Sequence, residues 1–523
     1  MAEIGKNIIE NLTTAMYENS YTVYREYIQN SADSIDKAIE NGLLSKQEAY
    51  IEIEIDECRR VVSIHDNACG IPKESFYKTL SDIADSQKDR TKDKGFRGIG
   101  RLAGIAYCRK LIFKSSYKGE SIQSTMTWNG DLLRQILADK NQHPSASELV
   151  DKIITCTTEN CDIDKHFFEV VMEGIIPESD NLIDEHEVIE YLQAVAPIKY
   201  SNTFVYRSKI YDYAKENNLS IDEYKIIING NPIYKPYKTT IYEGTIDNKN
   251  PFDEIKDVQF ELFKNKKGEI LGWMWYGISK FEKQIPIINA MRGIRVRKEN
   301  IQIGNEDTLG YPKFYKEQRG NLYFFGELFA VHPDLIPNAR RDYFNTNSTL
   351  KEFENAIYPL LHDELHKLYY YANKVKNSAK KIAKYAEEKN TYETKLENGE
   401  FISPDDQQTA EQVLEKHKID AEKAARELER RKKDSESNEV LSRVFKEINA
   451  AYEVENSEIN NKENNDKLND IKDKKTKSYL SQSLSKYSKK EQKLIGNIYE
   501  IIKNILPQDT ADIVIKKIHE ELK

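Results

Sequence analysis

A carboxylate, an amide, a second carboxylate and an amine recur along one short stretch: Glu26, Asn30, Asp33 and Lys37 are spaced four, three and four residues apart. On a helix advancing about 100° per residue they share one stripe roughly 60° wide, while Tyr24, Ile28, Ile35 and Ile39 gather within about 40° of the opposite side. Spacing alone is weak evidence of chemistry. A solvated face of an amphipathic helix shows the same period, so the stripe gains meaning only from the residues downstream of it.

Two further elements lie there. The alternating stretches YIEIEID (50–56) and VVSIHD (61–66) read as strands, and the second runs directly into His65-Asp66-Asn67-Ala68-Cys69-Gly70-Ile71. After a charged stretch, 72–94, containing SQKDRTKDK, comes Gly95-Phe96-Arg97-Gly98-Ile99-Gly100. Glycines there let backbone amides approach phosphates at the start of a helix, whose dipole favours anions.

In this order and at this spacing, the three elements resemble the motifs of the GHKL ATPase superfamily, which includes gyrase, the heat-shock-ninety chaperones, histidine kinases and MutL. Glu26 to Lys37 is similar to the first motif of the heat-shock-ninety proteins, in register at Glu26, Asn30, Asp33 and Asp36-Lys37. Asp66 to Gly70 resembles Asp-x-Gly-x-Gly. Gly95 to Gly100 fits Gly-x-x-Gly-x-Gly, and its Gly-Phe-Arg-Gly core also resembles MutL. The resemblance implies an α+β fold with helices on a mixed sheet, binding ATP with Mg²⁺. It gives Glu26 the task of activating water, Asn30 that of a Mg²⁺ ligand, and Asp66 that of accepting a hydrogen bond from the adenine amino group. Asp33, Lys37, Gly70, Gly95, Arg97, Gly98 and Gly100 complete the nucleotide contacts, and 72–94 stands where an ATP lid would. Ala68 replaces a glycine of the second motif, which puts a methyl beside the expected adenine pocket. The family's Gly-Thr before the domain's last strand has no evident counterpart; the nearest stretch begins His166-Phe167.

The resemblance extends into a second α+β region, 181–350, with strand-like YKIIING (224–230), EILGWMWYGI (269–278) and NLYFFGELFAV (321–331). Ala290 to Lys298 and Leu335-Ile-Pro-Asn-Ala-Arg-Arg341 are similar to stretches of the heat-shock-ninety middle domain. That likeness makes Arg341 the arginine that reaches the γ-phosphate, with Arg340 its immediate rival.

The expected organisation is therefore an ATP-binding domain at 1–180, a middle or transducer domain at 181–350, a helical arm or coiled coil at 351–455, a polar linker at 456–477 and a helical module at 478–523. The second run of the arm opens on Ser403, Pro404, Asp405 and Asp406, good chemistry for a helix start. A net charge of -9 argues against a chain coated with nucleic acid. Five cysteines form no even framework, and Cys156, Cys161 and His166 are too loosely spaced for a metal site. With no run of roughly 20 apolar residues and no leader-like start, a cytoplasmic protein without membrane association is expected. The expected function is a chaperone-like ATP-driven clamp, homodimeric on ATP binding, acting on a protein client. Two alternatives stand beside it. One is a DNA-engaging ATPase resembling MORC or MutL, with a role in genome or antiviral defence, which draws on the eight lysines and two acids between Ile471 and Leu494. The other is a nucleotide-gated scaffold with negligible turnover.

Overall fold

Period-two alternation sets the first sheet. In β1 (Ile51–Asp56) Ile51 and Ile53 point inward, and in β2 (Val61–Asp66) Val62, Ile64 and Asp66 share the buried face, so a carboxylate sits in phase with the core. The computed structural model describes residues 5–13, 19–82, 100–452 and 479–523. Chain contacts divide it into two units, Met1–Ser279 with Lys283–His366, and Lys280–Glu282 with Lys367–Lys523.

Within the first unit, helix α1 (Asn7–Thr13) precedes α2 (Thr22–Glu40), the helix that carries the stripe. The sheet adds β3 (Cys108–Ser116), β4 (Ile122–Asn129), β5 (Ile154–Asn160) and β6 (Phe167–Ile175), with α3 (Lys73–Ser81), α4 (Gly130–Ala138) and α5 (Ala146–Ile153) between strands. Its order is β5-β4-β3-β6-β2-β1-β7-β8. The last two strands, β7 (Ile226–Ile228) and β8 (Asn231–Pro232), arrive after α6 (Glu185–Val195) and α7 (Arg207–Glu216). Here β7 lies parallel to β1 while the other neighbours are antiparallel, so the sheet takes in chain well beyond residue 180. Tyr24, Ile28, Ala32 and Ile35 of α2 pack into one core with Val62, Ile64, Leu111 and Met172. The part of 72–94 that folds as α3 is held by buried Phe76 and Leu80, which overrides its charged composition.

A second sheet has the order β11-β12-β15-β13-β14, comprising β11 (Asp257–Lys264), β12 (Ile270–Ile278), β13 (Gly293–Lys298), β14 (Ile301–Ile303) and β15 (Phe325–Ala330), beside a small pair, β9 (Thr240–Gly244) and β10 (Lys249–Glu254). β12 is buried on both faces, among stacked Trp273 and Phe329 with centroids 4.4 Å apart and an aromatic cluster of Tyr200, Tyr237, Trp275 and Phe325. The two sheets are joined by a buried charge cluster. Glu327 accepts from Lys235 at 2.8 Å, from Trp275 Nε1 at 3.3 Å, and from Arg297 and Tyr200. Burial alone would raise its carboxyl, but Arg297 and Lys235 overcome that and hold it well below the usual range. Arg297 also donates to Ala194 O at 2.8 Å, and Asn300 to Asp222 O at 2.6 Å, so the cluster reaches α6 and the approach to β7. Helix α8 (Ser348–Tyr358), capped by Asn347, packs on β11 and β12.

The second unit is helical. α9 (Leu365–Asn398) and α10 (Pro404–Ser435) run antiparallel, with Tyr371 donating to Arg431 O at 2.7 Å near one end and Tyr392 to Glu411 at 2.8 Å near the other. Ser403 caps α10 by accepting from Asp406 N, with Pro404 in the first turn. α11 (Glu439–Ala451) comes next. The final helices, Lys489–Ile505 and Gln508–Leu522, bury Tyr499 and Ile515 against Ile402 beside the α9–α10 bend, where Ser403 also donates to Glu500 at 2.7 Å. The expected polar linker, 456–477, lies outside the described residues.

Candidate active site

The first three residues of the polar front of α2 are turned away from solvent, while Lys37 is exposed. Glu26 is 9% exposed and Asp33 4%, and with Asn30 and Lys37 they line a cavity of about 440 Å³. Its size fits a small-molecule site. The same cavity is lined by Asp66 and Gly70 from the end of β2, by Gly100 from the short 3-10 helix Gly100–Ala106, and by Arg341 from the loop after β15. Gly95, Arg97 and Gly98 lie outside the described residues.

At one end of the cavity Glu26 Oε1 lies 3.4 Å from Arg341 Nε and 3.9 Å from Arg25 Nη2. Arg25 also donates to Arg340 O at 3.4 Å, which pins the loop that carries Arg341. That loop folds back on itself. Asn338 N donates to Tyr343 O at 2.9 Å, Gly304 N donates to Arg341 O at 2.8 Å, and Arg341 itself adopts a left-handed φ of 57°. This backbone is uncommon for a residue with a side chain, and here it turns the buried guanidinium toward Glu26 while Arg340 is exposed. Gly100 leaves room for the Glu26 carboxylate as it stands. A Cβ on Gly100 would lie 2.2 Å from Glu26 Oε2. Tyr27 steadies this segment, accepting from Gly104 N at 3.0 Å and donating to Arg101 O at 3.0 Å.

The other end is apolar, with Ile71, Leu80, Phe113, Phe168 and Val170 as walls. Among them Asp66 is 1% exposed; its Oδ1 accepts from Ala68 N at 3.2 Å, and its Oδ2 has no hydrogen-bond partner. Burial pushes its carboxyl up to about 7, against the lowering effect of the Ser31 hydroxyl and the Ala68 and Phe168 amides. A buried acceptor without a partner, on a residue that lines a cavity, is what a ligand's donor would complete. Gly70 holds the turn beyond it: its φ is 71°, and a Cβ would lie 2.0 Å from Ser116 O.

Ala68, expected to crowd the base pocket, is fully buried, does not line the cavity and offers its carbonyl to His166 Nδ1 at 2.9 Å. Phe168, opposite Asp66 in the β2–β6 register, lines the wall and follows the His166-Phe167 stretch that stands where the family has Gly-Thr. His65 stacks on Phe167 at 5.2 Å, a packing role. No group of three or more His, Cys, Asp or Glu among the described residues could hold a metal ion. Glu26, Asn30 and Asp33 line the same cavity, and a few side-chain oxygens of this kind could hold Mg²⁺ only together with substrate phosphates. Sequence reasoning passed over Arg25, which neighbours Glu26 in the chain, and the aromatic walls Phe113 and Phe168, whose types read as ordinary core.

Residues 17–162 match the family described as histidine kinase-, DNA gyrase B-, and HSP90-like ATPase. The chain is similar to the chaperone protein HtpG of Buchnera aphidicola, 27% identical over 142 residues that cover 24% of this chain and 23% of that protein. It is 29% identical to HtpG of Rickettsia typhi over 161 residues, covering 27% and 25%. With HtpG of Campylobacter jejuni it shares 21% over 389 residues, covering 69% of this chain and 58% of that protein. The chain thus spans from about a quarter to somewhat over half the length of these relatives. No helix among the described residues is long and apolar enough to cross a membrane. The similarity to the histidine kinase-, DNA gyrase B- and HSP90-like ATPase family thus lies in residues 17–162, within the unit that holds the cavity.

Proposed function

We propose that this protein binds and hydrolyses ATP and uses the cycle as a chaperone-like clamp that pairs two copies of the chain around a protein client. The observation that carries the reading is the convergence of Glu26, Asp66, Gly100 and Arg341, distant in sequence, on one cavity. The adenine amino group would donate to Asp66 Oδ2, with the ring between Phe113, Phe168 and Val170. At the opposite end Glu26 would orient the attacking water and take its proton, a contribution typically worth about 10²–10⁴-fold. Arg341 would leave Glu26 for the γ-phosphate and offset its charge as the bond to the β-phosphate breaks; arginines in that role are worth about 10³-fold or more. Mg²⁺, held by Asn30 with Glu26 or Asp33 nearby, would supply charge neutralisation at the phosphates.

A DNA-engaging clamp is the second reading. What favours it is the exposure of Lys486, Lys489, Lys490 and Lys493 in the C-terminal module. Calorimetry with ATP, together with mass determination in the presence of a non-hydrolysable ATP analogue, tests the first reading. Micromolar binding and a doubled mass are expected, and no ATP binding would refute it. Tight, salt-dependent binding of duplex DNA that raises turnover would shift the assignment to the second.

A further inference from the structure

Asp66 is an unusual reader of a ligand. Its carboxyl is 1% exposed among the apolar walls of the cavity that Asp66 lines, and one oxygen is buried without a hydrogen-bond partner. The groups that face it are the Ser31 hydroxyl from α2, the Ala68 amide from its own loop and the Phe168 amide from β6; the Cys69 thiol is also near. None of these is a cation. A buried carboxylate with neutral neighbours and an unfilled acceptor has a weak hold on its charge, so ionised and protonated forms lie close in free energy. The two forms recognise opposite partners. Ionised, Oδ2 can only accept; protonated, it can donate.

We propose that Asp66 reads the purine six-position through both protonation states, accepting from an amino group when ionised and donating to a keto oxygen when protonated, so that the choice between adenine and hypoxanthine nucleotides turns over with pH. This rests on the nucleotide reading above and names the base class that the same site takes. Burial places the turnover at about pH 7 in the free protein. The Ala68 amide holds Oδ1 as an acceptor at 3.2 Å, which leaves Oδ2 as the atom that changes role. In Asp66→Asn the same amide keeps the side-chain oxygen at the Oδ1 position. The NH₂ then takes the Oδ2 position as a permanent donor, a fixed copy of the protonated form.

The test is calorimetry of ADP and inosine diphosphate in excess Mg²⁺ at pH 6, 7 and 8. Phosphate and metal protonation cancel in the ratio of the two dissociation constants. For one titrating group with opposite preferences, the ratio of the inosine diphosphate Kd to the ADP Kd should rise about tenfold per pH unit. In Asp66→Asn it should stay flat and favour inosine diphosphate throughout. A wild-type ratio that moves less than about twofold from pH 6 to 8, with ADP bound measurably, overturns this proposal and leaves the nucleotide reading standing. Failure of both nucleotides to bind at every pH overturns the nucleotide reading itself. If the variant does not fold, the wild-type slope decides.

Discussion

Replacing Asp66 by asparagine should raise the stability of the nucleotide-free protein at alkaline pH, at the expense of ATP binding. The carboxyl rises from an ordinary 3.8 to about 7 because it is buried. Between those values the folded state keeps a proton that the unfolded chain has lost, so stability falls as pH rises from about 4 to 7, and the full penalty persists above 7. At 1.36 kcal/mol per pH unit this penalty is about 4 kcal/mol as an upper bound. Asparagine removes it but leaves an unpartnered NH₂ in the cavity, at a cost of about 1–3 kcal/mol. The net gain should be roughly 1–3 kcal/mol at pH 8, shrinking toward zero or reversing near pH 4. Urea unfolding followed by tryptophan fluorescence reports on the right unit, because Trp128, Trp273 and Trp275 are all buried in the first one. A variant less stable than wild type at pH 8, or a difference that does not grow between pH 5 and pH 8, would refute the electrostatic reasoning. Weaker ATP binding in the same variant is the functional counterpart, since the open acceptor is gone.

Arg341→Ala should slow ATP hydrolysis by about 10³-fold with little change in ATP affinity, and Arg341→Lys should rescue poorly because an ammonium lacks the planar fork; a loss that accompanies Arg340→Ala instead would move the role one residue back. Gly70→Ala should destabilise the first unit by about 2 kcal/mol or more, since its φ is 71° and its Cβ would lie 2.0 Å from a carbonyl oxygen, and unchanged tryptophan-monitored unfolding would contradict this. Ending the chain at His366 should leave ATP binding intact, because every described cavity residue precedes that point; a folded truncation that cannot bind ATP would show that the second unit completes the site.

Much of the site was legible because its logic is local. Four polar residues at helical spacing define the front of α2, and two-residue alternation in β2 puts Asp66 on the same face as Val62 and Ile64. From the helix alone the burial of Glu26 and Asp33 was not legible, because amphipathicity is identical for a helix facing water and one facing a cavity; the downstream motifs supplied that expectation. Nor was the return of residues 226–232 to the first sheet, since a short parallel strand carries no signal of its partner. The approach of Arg341 to Glu26 depends on a left-handed backbone at a non-glycine residue and on the buried Glu327 cluster that joins the two sheets. Both are tertiary facts. Arg25 lies about 100° from Glu26 around the helix, so a search confined to the stripe could not include it.

If Glu26 activates water at a site that binds ATP without its help, binding and turnover must separate when its charge is removed. Measuring ATP affinity and turnover side by side for wild type and Glu26→Gln tests this most directly. Affinity within a few-fold of wild type is expected, with turnover reduced by about 10²-fold or more. Undiminished hydrolysis in the purified variant would contradict the role given to Glu26.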